Sequence, residues 1–119
     1  MKSGVVIFAT LWLLAAVDRP NAAACRNVHG RLSLNNGAPT VRIWVVGTHR
    51  VLGVLQPNER FSDLPAGVRQ LWAGKTNEQI WASEIVGDFE VCAITRSTVG
   101  RMQVVRLEAA RRLVLEPRG

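Results

Sequence analysis

Fifteen lysine and arginine residues stand against nine aspartate and glutamate residues in this chain of 119, and the formal net charge is +6. The arginines are scattered and tyrosine is absent, so the chain lacks the interleaved cationic and aromatic residues of single-stranded nucleic-acid binders. Nucleic acid is therefore excluded as a partner, and the length allows a single domain.

The first element is a predicted secretory signal peptide over residues 1–24. Lys2 precedes an uncharged run over residues 5–17, and Ala22 and Ala24 form an Ala-x-Ala cleavage pattern before Cys25. The apolar run is shorter than the roughly 20 residues that a membrane-spanning helix needs. We therefore expect an exported protein, periplasmic or secreted, with no transmembrane span in the mature chain.

Cleavage before Cys25 leaves residues 25–119 with two cysteines. In an oxidising compartment an even number of thiols favours a disulfide, which predicts a bridge between Cys25 and Cys92. Two alternatives stay open. In one, Cys25 is acylated and anchors a lipoprotein, although Asp18 and Arg19 separate it from the apolar run. In the other, both thiols are unpaired and Cys92 is merely buried.

The mature chain begins with short strands separated by turns. Residues 28–34 alternate apolar and polar side chains, which is typical of a half-buried strand. Residues 35–39 contain the asparagines, glycine and proline of a turn. Residues 40–46, rich in β-branched side chains, predict the clearest strand, and Gly47 begins a turn into a third strand over residues 49–55.

The second half combines an irregular segment with further strands. Residues 56–83 contain turn signals and predict either irregular structure or one short helix near residues 68–72. Strand character returns over residues 85–94, 102–109 and 112–116, with a terminal helix over 107–115 as the alternative. The pattern predicts an all-β fold, a small Ig-like or transthyretin-like β-sandwich, with a small β-barrel as the alternative.

Several motifs resemble the β-sandwich modules called carboxypeptidase-regulatory-like or transthyretin-like domains. The matching residues lie at 28–32, at the Asn-Gly-x-Pro turn over 36–39, at 41–43, at 60–67 and at the Gly-Asp-Phe over 87–89. The chain as a whole resembles small exported proteins of Gram-negative bacteria. The resemblance implies a sandwich that binds or braces another molecule, and it carries over no catalytic residue.

No catalytic or metal-binding motif is present in the sequence. His29 and His49 are the only histidines, and a Gly-x-Ser-x-Gly element is absent. The spacing of these histidines relative to Asp63, Asp88 and Glu90 matches no metal-ligand pattern. We predict no catalytic residue, no metal and no cofactor.

The candidate binding residues are Arg42 and Trp44. They lie on the strand face opposite Val41 and Ile43, where an arginine beside a tryptophan offers a flat apolar surface and a cation to a sugar, peptide or anion. Two further candidates lie in the 56–83 segment, namely Trp72 and Trp81. The alternative is that this segment packs over Trp44.

These patterns predict a non-catalytic binding or structural module of the cell envelope. The first hypothesis is a protein-protein interaction through a sheet edge or the tryptophan-bearing face. The second is binding of anionic envelope polymers or glycans through the arginine and tryptophan face. The third hypothesis is a small secreted hydrolase that depends on His29 or His49.

Overall fold

The computed structural model describes residues 25–119, which contain five strands, two α-helices and a 3-10 helix. The elements in chain order are β1 (Cys25–Leu34), β2 (Val41–Val45), β3 (Val51–Val54), the 3-10 helix (Phe61–Asp63), α1 (Ala66–Trp72), α2 (Asn77–Trp81), β4 (Ser83–Ala93) and β5 (Gln103–Pro117). The signal-peptide prediction falls on residues 1–24 and lies outside the described residues.

All five strands belong to one mixed sheet. β1 pairs antiparallel with both β2 and β4, β2 pairs antiparallel with β3, and β4 pairs antiparallel with β5. β3 and β5 pair in parallel, so the order β1-β2-β3-β5-β4 returns to β1. The predicted β-rich class is confirmed. The sandwich is not confirmed, because every described strand pairs within this single sheet.

One long strand forms the end of the chain. The two strands predicted over residues 102–109 and 112–116 are joined in β5, and the alternative helix over 107–115 is wrong. β5 remains paired with β4 across two irregularities in register, and Arg112 has a positive φ of 53°. Such bulges let a long strand bend without leaving its partner. The helix-permissive residues Ala109 and Ala110 are extended because β4 supplies their backbone partners.

The segment between β3 and β4 folds into three short helical elements. The predicted helix near residues 68–72 is confirmed as α1, whereas α2 was not predicted. α2 begins with a capping box, in which the Gln79 amide donates to the Thr76 hydroxyl at 3.2 Å and Gln79 Oε1 accepts from the Thr76 amide at 2.9 Å. With only five residues, α2 has too little periodicity to be visible in the sequence.

The core is formed by the inward faces of the strands and by one face of each helix. In β4, alternate residues are buried, including Ile85, Phe89 and Val91, as expected for a strand with one face in the core. The other fully or nearly fully buried apolar residues are Leu32, Leu34, Val41, Ile43, Leu52, Val54, Leu64, Val68, Trp72, Ile80, Val105 and Leu107. α1 packs against β5, and α2 packs against β4 and β1, so the helices extend the core rather than forming a separate unit.

Two glycines permit close packing of β2 and β5 against the β1–β4 pair. Gly30 and Gly87 are Cα partners in the β1–β4 ladder. A Cβ atom on Gly87 would lie 2.5 Å from Leu113 Cδ2 and 2.9 Å from the Arg111 carbonyl oxygen. A Cβ atom on Gly30 would lie 2.6 Å from Ile43 Cγ2. The absence of side chains at both positions thus lets the neighbouring strands approach.

The Gly87→Ala substitution is expected to lower the free energy of unfolding by about 1 to 3 kcal/mol, the usual cost of overpacking a close-packed site. Urea denaturation of the oxidised protein measures the change. Gly74→Asn is the control, because Gly74 has a φ of +76°, asparagine tolerates that region, and no atom lies within 4 Å of the added Cβ. Equal stability of Gly87→Ala and Gly74→Asn would contradict the packing argument.

The disulfide joins the start of β1 to the end of β4. Cys25 and Cys92 are Cα partners in the ladder, are separated by 67 residues, and form the predicted disulfide. The prediction of a Cys25–Cys92 bridge is confirmed. The bridge holds the first residue of β1 against β4 at the same end of the sheet as the β4–β5 loop.

Replacing both cysteines by alanine is expected to lower the free energy of unfolding by about 4 kcal/mol. Without the bridge, the unfolded chain regains the conformational entropy that closing a loop of this length had removed. Denaturation curves in urea test the value. The unmodified protein measured with and without a reductant provides the control for lost packing at the buried Cys92. A change below about 1 kcal/mol on reduction would show that the bridge contributes little.

Candidate functional site

The arginines of residues 25–119 divide by what their guanidinium groups contact. One group pairs with carboxylates: Arg31, Arg106, Arg111 and Arg112. A second group donates to backbone carbonyl oxygens: Arg42, Arg69 and Arg118. Arg60 lies near the charge of Asp63. Four arginines remain without a carboxylate partner among the described residues: Arg26, Arg50, Arg96 and Arg101.

These four arginines belong to one end of the sheet. β1 begins there, the β2–β3 turn and the β4–β5 loop both lie there, and Leu52 of β3 is the partner of Gln103 at the start of β5. A cleft of about 490 Å³ opens between residues 49–51 and residues 97–103. We call this the arginine cleft, because Arg50 and Arg101 line it and Arg26 reaches Gln103 in its wall.

Gln103 is the centre of the polar contacts in the arginine cleft. Its side chain is 7% exposed, and its Oε1 accepts from Arg50 Nη2 at 2.7 Å and from Arg26 Nη2 at 3.3 Å. Its Nε2 donates to the Thr95 carbonyl oxygen at 3.0 Å. The two arginines can only donate, so the atom that faces them must be the amide oxygen. The Thr95 carbonyl can only accept, so the atom that faces it must be the amide nitrogen, and the orientation of the Gln103 amide follows. Two cations thus share one neutral oxygen.

The electrostatics of this arrangement are unfavourable without a counter-charge. Burial first, and the charge of Arg50 second, lower the pKa of Arg26 from its ordinary value. Arginine nevertheless stays protonated in proteins, so both positive charges persist. An anion between the two guanidinium groups would remove the repulsion and accept charge-assisted hydrogen bonds.

The β4–β5 loop adds polar groups and a tight turn to the cleft. Ser97 Oγ accepts from Arg50 Nη2 at 3.2 Å. The Arg101 amide donates to the Thr98 carbonyl oxygen at 3.1 Å, and Gly100 has a φ of +79°. The loop therefore turns at Val99, and Arg101 lies on its returning side beside the cleft.

The predicted pair Arg42 and Trp44 lies on the outer face of β2, as expected from the alternation. The Arg42 guanidinium, however, donates to the carbonyl oxygens of Pro39 at 2.9 Å and Asn36 at 3.2 Å, and braces the β1–β2 turn. Trp44 is 39% exposed, and its indole nitrogen donates to the Thr48 carbonyl oxygen at 2.7 Å. Only Trp44 of this pair presents its side chain to solvent in a way that suits a ligand.

The other two candidate tryptophans occupy different surroundings. Trp72 of α1 is buried in the core with its ring centroid 5.3 Å from that of Phe61, and its indole nitrogen lacks a hydrogen-bond partner among the described residues. Trp81 ends α2 and is partly exposed. Neither residue lines the arginine cleft.

A second polar cluster surrounds Asp88 on β4. His29 Nδ1 donates to Asp88 Oδ1 at 2.9 Å, and Arg112 Nε donates to Asp88 Oδ2 at 2.6 Å. The hydrogen bond from His29 first, and that from Arg112 second, hold the pKa of Asp88 below its usual range. The residues that line this shallow site in the described chain include no serine, threonine or cysteine to act as a nucleophile. The cluster is an ion-pair brace between β1, β4 and β5.

Comparison of the chain with protein-family models, curated proteins and solved structures gives no match in any of the three. Across residues 25–119, none of the helices combines the length and apolar character needed to cross a membrane. The same part of the chain contains no group of three or more histidine, cysteine, aspartate and glutamate residues suited to hold a metal ion.

The site residues predicted from the sequence did not include Arg26, Arg50, Arg101 or Gln103. The distribution of acidic residues is the signal that could have indicated them, since aspartate and glutamate are absent from residues 25–58 and from residues 91–107. These two segments supply every residue that lines the arginine cleft. The acid-free segments are visible in the sequence, but only the strand pairing brings them together.

The depressed pKa of Asp88 predicts a specific response to acid. A carboxyl group whose pKa is lower in the folded state stabilises the fold fully above its unfolded pKa of about 3.9, and this contribution disappears as the pH falls through the folded pKa. Asp88→Asn should therefore lose less stability than the unmodified protein between about pH 5 and the acid limit. Urea denaturation as a function of pH measures this, and the exposed Glu78→Gln is the control. Parallel pH profiles for Asp88→Asn and the unmodified protein would refute the prediction.

Proposed function

We propose that the protein is an exported, non-catalytic binding module whose arginine cleft takes an anionic group, such as a phosphate carried by an envelope polymer. The observation that supports this is the convergence of Arg26 and Arg50 on the single neutral oxygen of Gln103. No described carboxylate neutralises either guanidinium. The unbalanced charge is the feature that an anionic ligand would satisfy.

The chemistry of the cleft favours an oxyanion over a neutral ligand. Arginine presents planar donors that match phosphate and carboxylate oxygens, and hydrogen bonds between charged groups are about twice as strong as those between neutral ones. Ser97 and Thr98 add hydroxyl groups beside the arginines. His49 lines the same cleft and adds a further polar ring.

We also infer that the sheet is a five-stranded Greek-key barrel of the OB class. Three features support this: the order that returns to β1, the parallel pairing of β3 with β5, and the helices inserted between β3 and β4. Barrels of that class bind extended polymers with the face of strands 2 and 3 and with the adjoining loops. The arginine cleft lies beside the β2–β3 turn and includes the β4–β5 loop, so its position suits a polymer ligand.

The proposal of export is supported by the signal peptide predicted over residues 1–24. The disulfide supports an oxidising compartment. The Cys25 sulfur is bonded to Cys92, so the same sulfur is not free to carry a lipid. We therefore propose the periplasm or the exterior of the cell, with the mature chain beginning at Cys25 and no lipid on that residue.

A protein-protein interaction is the second candidate function. Trp44, Val46 and Val51 are 39%, 39% and 38% exposed, and Trp44 is the cross-strand partner of Val51 in the β2–β3 ladder. Exposed apolar side chains that adjoin one another are a common feature of interfaces. Salt separates the two candidates, because binding of an anion weakens as salt screens the arginines, whereas apolar docking persists.

Arg50→Gln and Arg26→Gln are each expected to weaken pyrophosphate binding by about tenfold to a hundredfold, since one hydrogen bond to a charged group contributes about 1.5 to 3 kcal/mol. The full chain is expressed, and the oxidised protein is purified from the periplasmic fraction. Its intact mass identifies the first residue, and isothermal titration calorimetry with pyrophosphate at low and high salt measures the affinity. Arg111→Gln removes the same charge from β5 outside the cleft and is the control.

Equal loss of affinity in Arg50→Gln, Arg26→Gln and Arg111→Gln would show that net charge alone binds the probe. Affinity unchanged in Arg50→Gln and Arg26→Gln would show that the cleft is not the site. The proposal is supported if Arg111→Gln keeps the affinity of the unmodified protein while Arg50→Gln and Arg26→Gln lose affinity.

A further inference from the structure

We propose that the arginine-cleft end of the protein docks on an anionic lipid surface, with Val99 at the tip of the β4–β5 loop inserted among the headgroups. This inference rests on the proposed function, because it makes a lipid phosphate the anion that the cleft takes. It adds three points to that function: an apolar contact contributes to binding, the protein has a defined orientation on the surface, and the phosphate belongs to a lipid.

The apolar part of the surface is the loop tip and the ends of β2 and β3 beside it. Val99 is fully exposed and lines the arginine cleft together with Val51. Val51 pairs across the β2–β3 ladder with Trp44, which is also exposed. We call these three residues the apolar rim. The hydrogen bond from the Arg101 amide to the Thr98 carbonyl oxygen closes the turn that carries Val99 at its tip.

The apolar rim is flanked by cations. Arg96 and Arg101 stand on either side of Val99 in the loop, and Arg50 precedes Val51. No acidic residue lies in the segments that carry them, which extend over residues 25–58 and 91–107. Arginine side chains can extend an apolar stem along a surface while the charged group remains at the headgroups. This arrangement complements an anionic surface, which attracts arginines that lie near it.

The combination distinguishes a lipid surface from a soluble polymer. A polymer of phosphates would use the arginines but leave Val99 in water. A bilayer offers phosphates in a plane with apolar chains just below, so a cationic loop with an apolar tip satisfies both parts. Trp44 suits the same boundary, because tryptophan is enriched at the headgroup level of membranes.

Sedimentation with vesicles tests the proposal on the oxidised protein purified from the periplasmic fraction. One set of vesicles contains equal parts phosphatidylglycerol and phosphatidylcholine, and the other contains phosphatidylcholine alone. We expect binding only to the anionic vesicles. Val99→Ser should weaken that binding about fivefold or more through the lost apolar contact. Its effect on pyrophosphate binding should be smaller, because pyrophosphate offers no apolar group to Val99. Val114→Ser is the control, because Val114 is 54% exposed on β5 and lies outside the cleft.

A second measurement reports the orientation. Vesicles that carry brominated acyl chains should quench tryptophan fluorescence, and Trp44→Phe should remove most of this quenching. Trp72 is buried and Trp81 ends α2, so both serve as internal references.

The outcomes separate this inference from the function on which it rests. If Val99→Ser binds anionic vesicles like the unmodified protein, or if vesicles fail to bind while pyrophosphate does, lipid docking is wrong and a soluble phosphate polymer is the ligand. If neither vesicles nor pyrophosphate bind, the proposed function fails as well. If Val99→Ser weakens vesicle binding more than pyrophosphate binding, and Arg50→Gln weakens both, lipid docking is supported.

Discussion

The pairing of β1 along both edges is the constraint on which the rest of the described structure depends. β2 pairs with residues 30–34 of β1 and β4 pairs with residues 25–32, so the middle of this strand has backbone partners on both edges. Gly30 leaves room for Ile43 of β2 beside β1, and Gly87 leaves room for Leu113 of β5 beside β4. With β1 held on both sides, the sheet order β1-β2-β3-β5-β4 returns to β1. The disulfide then secures the first residue of β1 where a strand end would otherwise be free to separate from its partner.

The same constraint assembles the candidate site. Arg26 is the second residue of β1, Arg50 precedes β3, and Gln103 begins β5, so the three side chains come from strands that are distant in the chain. They meet because the start of β1, the start of β3 and the start of β5 lie at one end of the sheet. The polar end of the fold is thus a consequence of strand order. Its charge is unbalanced because the segments that form it contain no acidic residues.

The positive charge of the chain serves two different purposes. Carboxylates neutralise some arginines, and turn carbonyl groups occupy others, as Arg42 at the β1–β2 turn illustrates. These residues stabilise the fold and are poorly placed to bind a ligand. The four arginines at the cleft end lack such partners among the described residues, and their local arrangement carries more functional information than the net charge. The scattered appearance of arginine in the sequence conceals this division, because neighbours in the chain point to opposite faces of a strand.

Local pattern in the sequence determined which residues form strands, which face of β2 is buried, that a short helix includes Trp72, and that Cys25 pairs with Cys92. These features depend on the alternation of side chains and on cysteine chemistry, both of which are local or compositional. Only the tertiary structure decided the joining of the last two strands into β5, the single mixed sheet, and the meeting of Arg26 and Arg50 at Gln103. Each of these depends on which strand supplies backbone partners to which edge, and a pattern along the chain does not contain that information.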